Sequence, residues 1–123
     1  NLSDPSGIIP KVYRSGLKPV DLAALAPLVT AAAHDGDAVA SAIVARAGAS
    51  LAQIVTSVAR ALDFGSDPTP LALAGGLLLG GGGLREALMA SLSGSGRTFA
   101  PIGEAHEPVA GAVAIARSLL EGN

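Results

Sequence analysis

The feature that most constrains this sequence is a short apolar segment that runs directly into glycines. Leu71-Ala72-Leu73-Ala74 is followed at once by Gly75-Gly76, and four more glycines occupy positions 80–83. A short, continuously apolar run predicts a strand buried in a parallel sheet, because both faces of such strands are covered. Two residues without side chains at its end indicate either a tight turn or a place where the backbone approaches a ligand.

The sequence before this strand predicts helices. Pro19 can open a helix that Gly36 is placed to end. Asp37 can cap a much longer helix reaching about Leu62. Positions 45–52 of that helix are nearly all small, which predicts close packing against a neighbour. Its larger apolar residues form a stripe at helical spacing: Val39, Ile43, Val44, Leu51, Ile54, Val55, Val58 and Leu62.

The sequence after the glycines predicts a helix, a strand and a helix. The first helix spans about Leu84 to Leu92, and a strand follows over residues 98–102, where Pro101 indicates an edge position. The last helix spans about Val109 to Leu120. We therefore expect one α/β unit over residues 1–123, mainly helical in 1–62 and strand–helix–strand–helix in 63–123.

Composition excludes several classes of protein. Half of the residues are hydrophobic, which excludes a disordered chain. The absence of cysteine excludes a disulfide scaffold and any thiolate metal site. A net charge of −2 gives no basis for a nucleic-acid partner. The most apolar run, residues 71–83, is shorter than the about 20 residues that a membrane span needs, so we expect no membrane contact.

The N-terminal residues suggest a fragment. Asn1-Leu2-Ser3-Asp4-Pro5 contains neither an initiator Met nor a charged leader followed by an apolar stretch, so we expect a piece of a longer protein. Ser3 or Asp4 can cap a short helix that begins at Pro5.

No set of side chains in the sequence forms a catalytic centre. His34 falls in the last turn of a predicted helix, where it suits the helix dipole, and His106 lies in a predicted loop, where we expect it to be solvated. Asp35-Gly36-Asp37 is explained by helix capping rather than by metal binding. The hydroxyl residues near positions 50–57 have no base at useful spacing. We predict no catalytic residue and no metal ligand in this chain.

Three segments in order resemble one known family. They are residues 33–38, which open the long helix, the strand with Gly75-Gly76, and Glu107-Pro108-Val109-Ala110-Gly111-Ala112, which opens the last helix. With spacings of about 40 and 35 residues, they resemble the C-terminal part of the N-acetylglucosamine kinase family. That family belongs with the BadF/BadG/BcrA/BcrD-type ATPases, in the sugar kinase–Hsp70–actin superfamily. The resemblance covers nearly all of the chain.

The resemblance implies a fold and a function. The fold would be a ribonuclease-H-like lobe of a two-lobe, actin-like ATPase, with ATP between the lobes. The function would be phosphoryl transfer from ATP and Mg²⁺ to an amino sugar, in a cytoplasmic protein that is a homodimer at full length. The Asp-Gly-Gly-Gly-Thr phosphate loop and the catalytic aspartate of the first lobe are absent from this sequence. We therefore expect this chain to need a missing N-terminal lobe and to be inactive alone.

The resemblance also implies an ATP site. Gly75 and Gly76 match the adenosine motif, and the small residue that contacts adenine in the preceding helix falls on Ala23. Pro27 lies four residues after Ala23 and has no N–H, so the Ala23 carbonyl loses its helical partner and is free for a ligand or water, unless the proline only kinks the helix for packing. Gly111 and Ala112 would let the last helix pack closely behind the site.

Two other functions remain open at this stage. One is an activating ATPase of a CoA-ester reductase or dehydratase, which shares the lobe but uses a cysteine-held cluster. The other is a non-catalytic helical interaction domain whose glycines only form turns. A phosphate loop encoded upstream would support either ATPase class, and cysteines there would favour the activator.

Overall fold

The structure, a computed structural model, describes residues 18–121 and is mixed α/β with a small parallel sheet. In chain order the elements are α1 (Pro19–Ala23), α2 (Ala26–His34), α3 (Ala38–Ala61), β1 (Thr69–Ala74), α4 (Gly76–Leu79), α5 (Leu84–Ser93), β2 (Phe99–Ala105) and α6 (Pro108–Glu121). The helix predicted to begin at Pro5 lies outside the described residues.

The first predicted helix is broken in two. A turn at Ala24 and Leu25 separates α1 from α2, and Pro27 lies in the first turn of α2. Because proline is tolerated in the first turn but not in a helix interior, the chain restarts the helix just before Pro27. Gly36 then adopts a φ of +90° and ends α2, as predicted.

Helix α3 packs on α5 through its smallest residues. The Asp37 carboxylate accepts a hydrogen bond from the Ala40 amide at 2.8 Å, which confirms the predicted cap. A Cβ added at Gly48 would lie 2.6 Å from the carbonyl carbon of Ala87 and 2.7 Å from the Leu88 nitrogen. The close packing expected from the small residues is therefore confirmed. The buried residues of α3 are Ala40, Gly48, Ala52 and Ala59.

The large apolar stripe of α3 divides between the core and the solvent, with Leu51 and Val55 half-buried against the core. Val39, Ile43, Ile54, Val58 and Leu62 are all exposed, with Val39 at 71%. The reason is geometric, since only the small-residue face lets α5 approach this closely. The core lies between that face, β1 and the predicted leucine face of α5. Its fully buried members are Ala52, Leu73, Leu88 and Leu92.

Strands β1 and β2 pair in parallel, as the apolar run predicted. Ala74 is opposite Ala105 at the end of the ladder, and the register shifts between Thr69 and Leu71. Pro70 and Pro101 both lie in this irregular region, where a missing N–H costs no ladder bond. The expectation that both faces of β1 are buried is wrong. Residues alternate, with Leu73 buried and Ala72 and Ala74 exposed, because no described element covers the second face.

The last helix does not pack behind the sheet. Nothing lies within 4 Å of a Cβ built on Gly111, so the close packing expected there is wrong. The large apolar residues of α6 are exposed: Val109, Val113, Ile115, Leu119 and Leu120. Helix α6 therefore presents an apolar surface to solvent rather than to the described core.

Helix α3 meets the length and composition criterion for a membrane span, although the most apolar run of the sequence, residues 71–83, is too short for one. Of the apolar window in α3, 22% is buried, and Gly48 and Ala52 pack on other elements of the chain. The absence of membrane contact stays a prediction.

Candidate functional site

The residues predicted to bind ATP come together on one side of the molecule. Ala23 and Gly76 line the same groove, which has a volume of about 300 Å³. Pro27 and Thr30 of α2 form one wall, and Leu77, Gly80 and Gly82 of α4 and the following loop form the other. The groove lies just beyond the carboxyl end of β1, where open α/β sheets bind their ligands.

The two walls approach closely because Gly82 has no side chain. A Cβ built on Gly82 would lie 2.8 Å from the Thr30 Cγ2 atom. Real Cβ atoms do not approach this closely, so any other residue here would push the glycine loop away from α2. The glycine at this position therefore sets the width of the groove.

The Ala23 carbonyl lacks a hydrogen-bond donor, as the missing N–H of Pro27 predicts. Within residues 18–121 it accepts no backbone hydrogen bond. By contrast, the Val20 and Leu22 carbonyls of α1 each accept a hydrogen bond from an amide of the following turn. The Ala23 oxygen is on a residue that lines the groove, so it is an acceptor available to a ligand.

Gly75 and Gly76 differ in backbone conformation. Gly75 has a φ of +98°, a conformation that favours glycine, whereas Gly76 is the first residue of α4 and does not have a positive φ. The left-handed conformation of this turn therefore belongs to Gly75 and not to Gly76. A Cβ built on Gly76 meets nothing within 4 Å, so the groove beside it is open.

A second groove adjoins the first. It has a volume of about 500 Å³, shares Gly76 and Gly80 with the first groove, and is also lined by Gly75, Leu79, Ala105 and His106. Gly75 and His106 directly follow the paired residues Ala74 and Ala105 at the end of the sheet. His106 was predicted to be solvated, and its ring is 69% exposed, but it lies beside the predicted site.

His106 belongs to a chain of three charged or polar side chains. Its Nε2 lies 3.1 Å from a carboxylate oxygen of Glu104, and the other oxygen of Glu104 pairs with the Arg85 guanidinium from α5. The Arg85 hydrogen bond, and then its charge, hold the pKa of Glu104 below the ordinary value of 4.5. Burial opposes this lowering of the pKa, and a weaker hydrogen bond from His106 adds to it.

Replacing Arg85 with glutamine is expected to raise the pKa of Glu104 toward its ordinary value, because the main cause of the lowering is removed. In the native chain the pairing is fully present above pH 4.5 and is lost as the pH falls through the lowered pKa. Carboxyl carbon NMR shifts, followed from pH 7 to pH 2, measure this change. Arg97→Gln is the control, because Arg97 donates to Thr69 instead. Equal titration curves in the native and Arg85→Gln chains would contradict the assignment.

Comparison with protein-family models, with curated proteins and with solved structures found no match to this chain. What can be said of the site therefore depends on its own residues and geometry.

The other polar residues have structural explanations. His34 is in the last turn of α2 and, with Glu86, lines a third groove, which shares Thr30 and Gly82 with the first groove, and Asp37 is a helix cap. The Ser50 and Thr56 hydroxyls donate to the carbonyls of Arg46 and Ala52 within α3. Among residues 18–121, no group of three His, Cys, Asp or Glu side chains could hold a metal ion.

Proposed function

We propose that this chain is the nucleotide-binding, C-terminal lobe of an ATP-dependent sugar kinase, with N-acetylglucosamine as the leading substrate and a ribonuclease-H-like lobe fold. The observation that carries the proposal is the meeting of Ala23 and Gly76 on one groove at the carboxyl end of the strands. These residues are far apart in sequence. The resemblance assigns both residues to adenosine binding.

The chemistry of the groove suits an adenine ring. The unpaired Ala23 carbonyl can accept a hydrogen bond from the exocyclic amine of adenine, and the open space beside Gly76 leaves room for a flat base against the backbone. The walls are otherwise formed mainly by apolar side chains and glycine backbone, with Thr30 as the polar side chain. Small-molecule sites combine apolar walls with a few placed polar groups in this way.

The surfaces left bare by the fold support a second lobe. Parallel sheets are normally covered on both faces, yet one face of β1 is open in the described chain. Large apolar residues are also exposed along α3, including Ile54 at 61% and Leu62 at 63%. A contiguous apolar patch of more than a few hundred Å² usually marks an interface.

In this proposal the chain binds and orients ATP but does not supply the base. A carboxylate of the first lobe activates the sugar hydroxyl, and Mg²⁺ is held mainly by that lobe. Phosphoryl transfer depends on positioning and on electrostatic stabilisation of the transferring group. The contribution of this chain is to fix the adenosine end of ATP. The Ala23 carbonyl orients the adenine base, and the glycine turn determines the distance between the base and the sheet.

An NMR titration of the ¹⁵N-labelled chain with ATP tests the proposal. We expect amide shift changes at Ala23, Gly75 and Gly76, and none at Gly65 or Gly96, which are turn glycines outside both grooves. The same preparation should not phosphorylate N-acetylglucosamine. Absence of any ATP-dependent shift at up to several millimolar ATP would leave the interaction-domain alternative and remove the nucleotide site.

A further inference from the structure

We propose that His106 binds a ribose hydroxyl of the nucleotide, as a hydrogen-bond acceptor through its Nδ1 atom. This inference rests on the proposed function and adds a specificity residue to it. His106 was not among the residues expected to bind ATP. Its position follows from the sheet, because it is the first residue beyond Ala105, whose partner Ala74 precedes Gly75 and Gly76.

The order of groups along the two grooves matches the order of groups in a nucleotide. Ala23 lies in the first groove, Gly76 and Gly80 are shared by both, and His106 lies in the second. A base held beside Ala23 continues past Gly76 into the second groove. The group next to the base in a nucleotide is the ribose, so the ribose is the part that reaches His106.

The hydrogen bond to Glu104 fixes the chemistry of the ring. A carboxylate can only accept, so the Nε2 atom that lies 3.1 Å from Glu104 carries the proton. The Nδ1 atom of the neutral ring is then an acceptor, and no protein group within residues 18–121 donates to it. An acceptor recognises a hydroxyl, which can donate, and does not recognise a fully ionised phosphate.

The surrounding charges favour the same ligand group. Glu104 and Glu107 flank His106 in sequence, and the nearby cation, Arg85, is already paired with Glu104. A neutral sugar hydroxyl is accepted in this setting more readily than a phosphate, because like charges repel. Glu104 and Arg85 are positioning residues, since they hold the imidazole without touching the nucleotide.

The test compares ATP with 2′-deoxy-ATP and 3′-deoxy-ATP, titrated into the full 123-residue chain and followed by the amide shifts of Gly75 and Gly76. The native chain should bind one of the two deoxynucleotides about tenfold more weakly than ATP. His106→Phe, which keeps a ring but lacks the acceptor, should remove that preference, because it weakens the binding of ATP and leaves the binding of the disfavoured deoxynucleotide unchanged. His106→Asn, whose amide oxygen can take the place of Nδ1, should retain most of it. His34→Phe, in a groove that contains neither Gly76 nor His106, should leave the preference unchanged.

The possible failures are distinguishable. Binding of ATP and both deoxynucleotides with one affinity would overturn the role of His106 and leave the nucleotide site standing. A preference that persists in His106→Phe would place the hydroxyl acceptor elsewhere and also overturn it. Failure of all three nucleotides to shift Gly75 and Gly76 would remove the proposed function together with this inference.

Discussion

Replacing Gly48 with alanine is expected to destabilise the chain by about 2 kcal/mol, within the range measured for overpacked interiors. A Cβ at this position would lie 2.6 Å from both the carbonyl carbon and the Cβ of Ala87. These are largely backbone atoms of α5, so no side-chain rotation can relieve the contact, and the two helices must separate. Urea unfolding followed by circular dichroism measures the effect, and Gly48→Val should cost more.

Gly111→Ala is the matched control for this prediction. Both glycines lie inside helices, where alanine is intrinsically favoured over glycine by about 0.5–1 kcal/mol. Nothing lies within 4 Å of a Cβ at Gly111, so only the helix preference should remain there. The unfolding midpoint should not fall in Gly111→Ala. A midpoint in Gly48→Ala equal to or above that of the native chain would mean that α3 and α5 do not approach as described.

The helices could be predicted because their signals are local. The Asp37 cap, the positive φ of Gly36 and the repeat of Leu84, Leu88 and Leu92 are each decided within a few residues. How the large apolar residues of α3 divide between core and solvent could not be predicted in the same way. Leu51 and Val55 pack against the core whereas Ile54 is exposed, and that division depends on where α5 and the sheet lie, which is a tertiary property.

The end of β2 shows why the site was only half predicted. The strand was expected to stop at Ile102 but continues to Ala105. Gly103, Glu104 and Ala105 have low strand propensity, and pairing with Ala72, Leu73 and Ala74 overrides it. The shorter predicted strand leaves three residues between its end and His106. The three added residues bring it to the strand end, next to Gly75.

The resemblance assigns both Ala23 and Gly76 to the adenosine site, but only Ala23 has a second argument in the sequence. Because Pro27 has no N–H, covalent chemistry predicts that the Ala23 carbonyl lacks its helical partner, and that carbonyl is unpaired within residues 18–121. Nothing in the sequence decides which of the two glycines takes the positive φ, which the structure has at Gly75. Backbone angles at paired glycines cannot be assigned from sequence, because either residue can adopt the left-handed conformation.

Gly76→Val is expected to weaken ATP binding at least tenfold, or roughly 1.4 kcal/mol, while leaving the fold intact. Because the space beside Gly76 is open, the effect of this variant on ATP binding can be separated from an effect on folding, which would not hold in a packed turn. Because nothing lies within 4 Å of the new Cβ, the added side chain begins in open space, and it extends into the groove that the base would fill. The amide shifts of Gly75 and Ala23 during an ATP titration give the affinity.

Gly103→Val supplies the matched control, since its Cβ also meets nothing within 4 Å but it lies on β2 away from both grooves. It should keep native ATP affinity. Gly75→Ala separates strain from blocking, because a φ of +98° makes any side chain there unfavourable and its main effect should be on stability. If Gly76→Val is folded and binds ATP like the native chain, the glycines only form a turn. The ligand of the groove is then not an adenosine placed against Gly76.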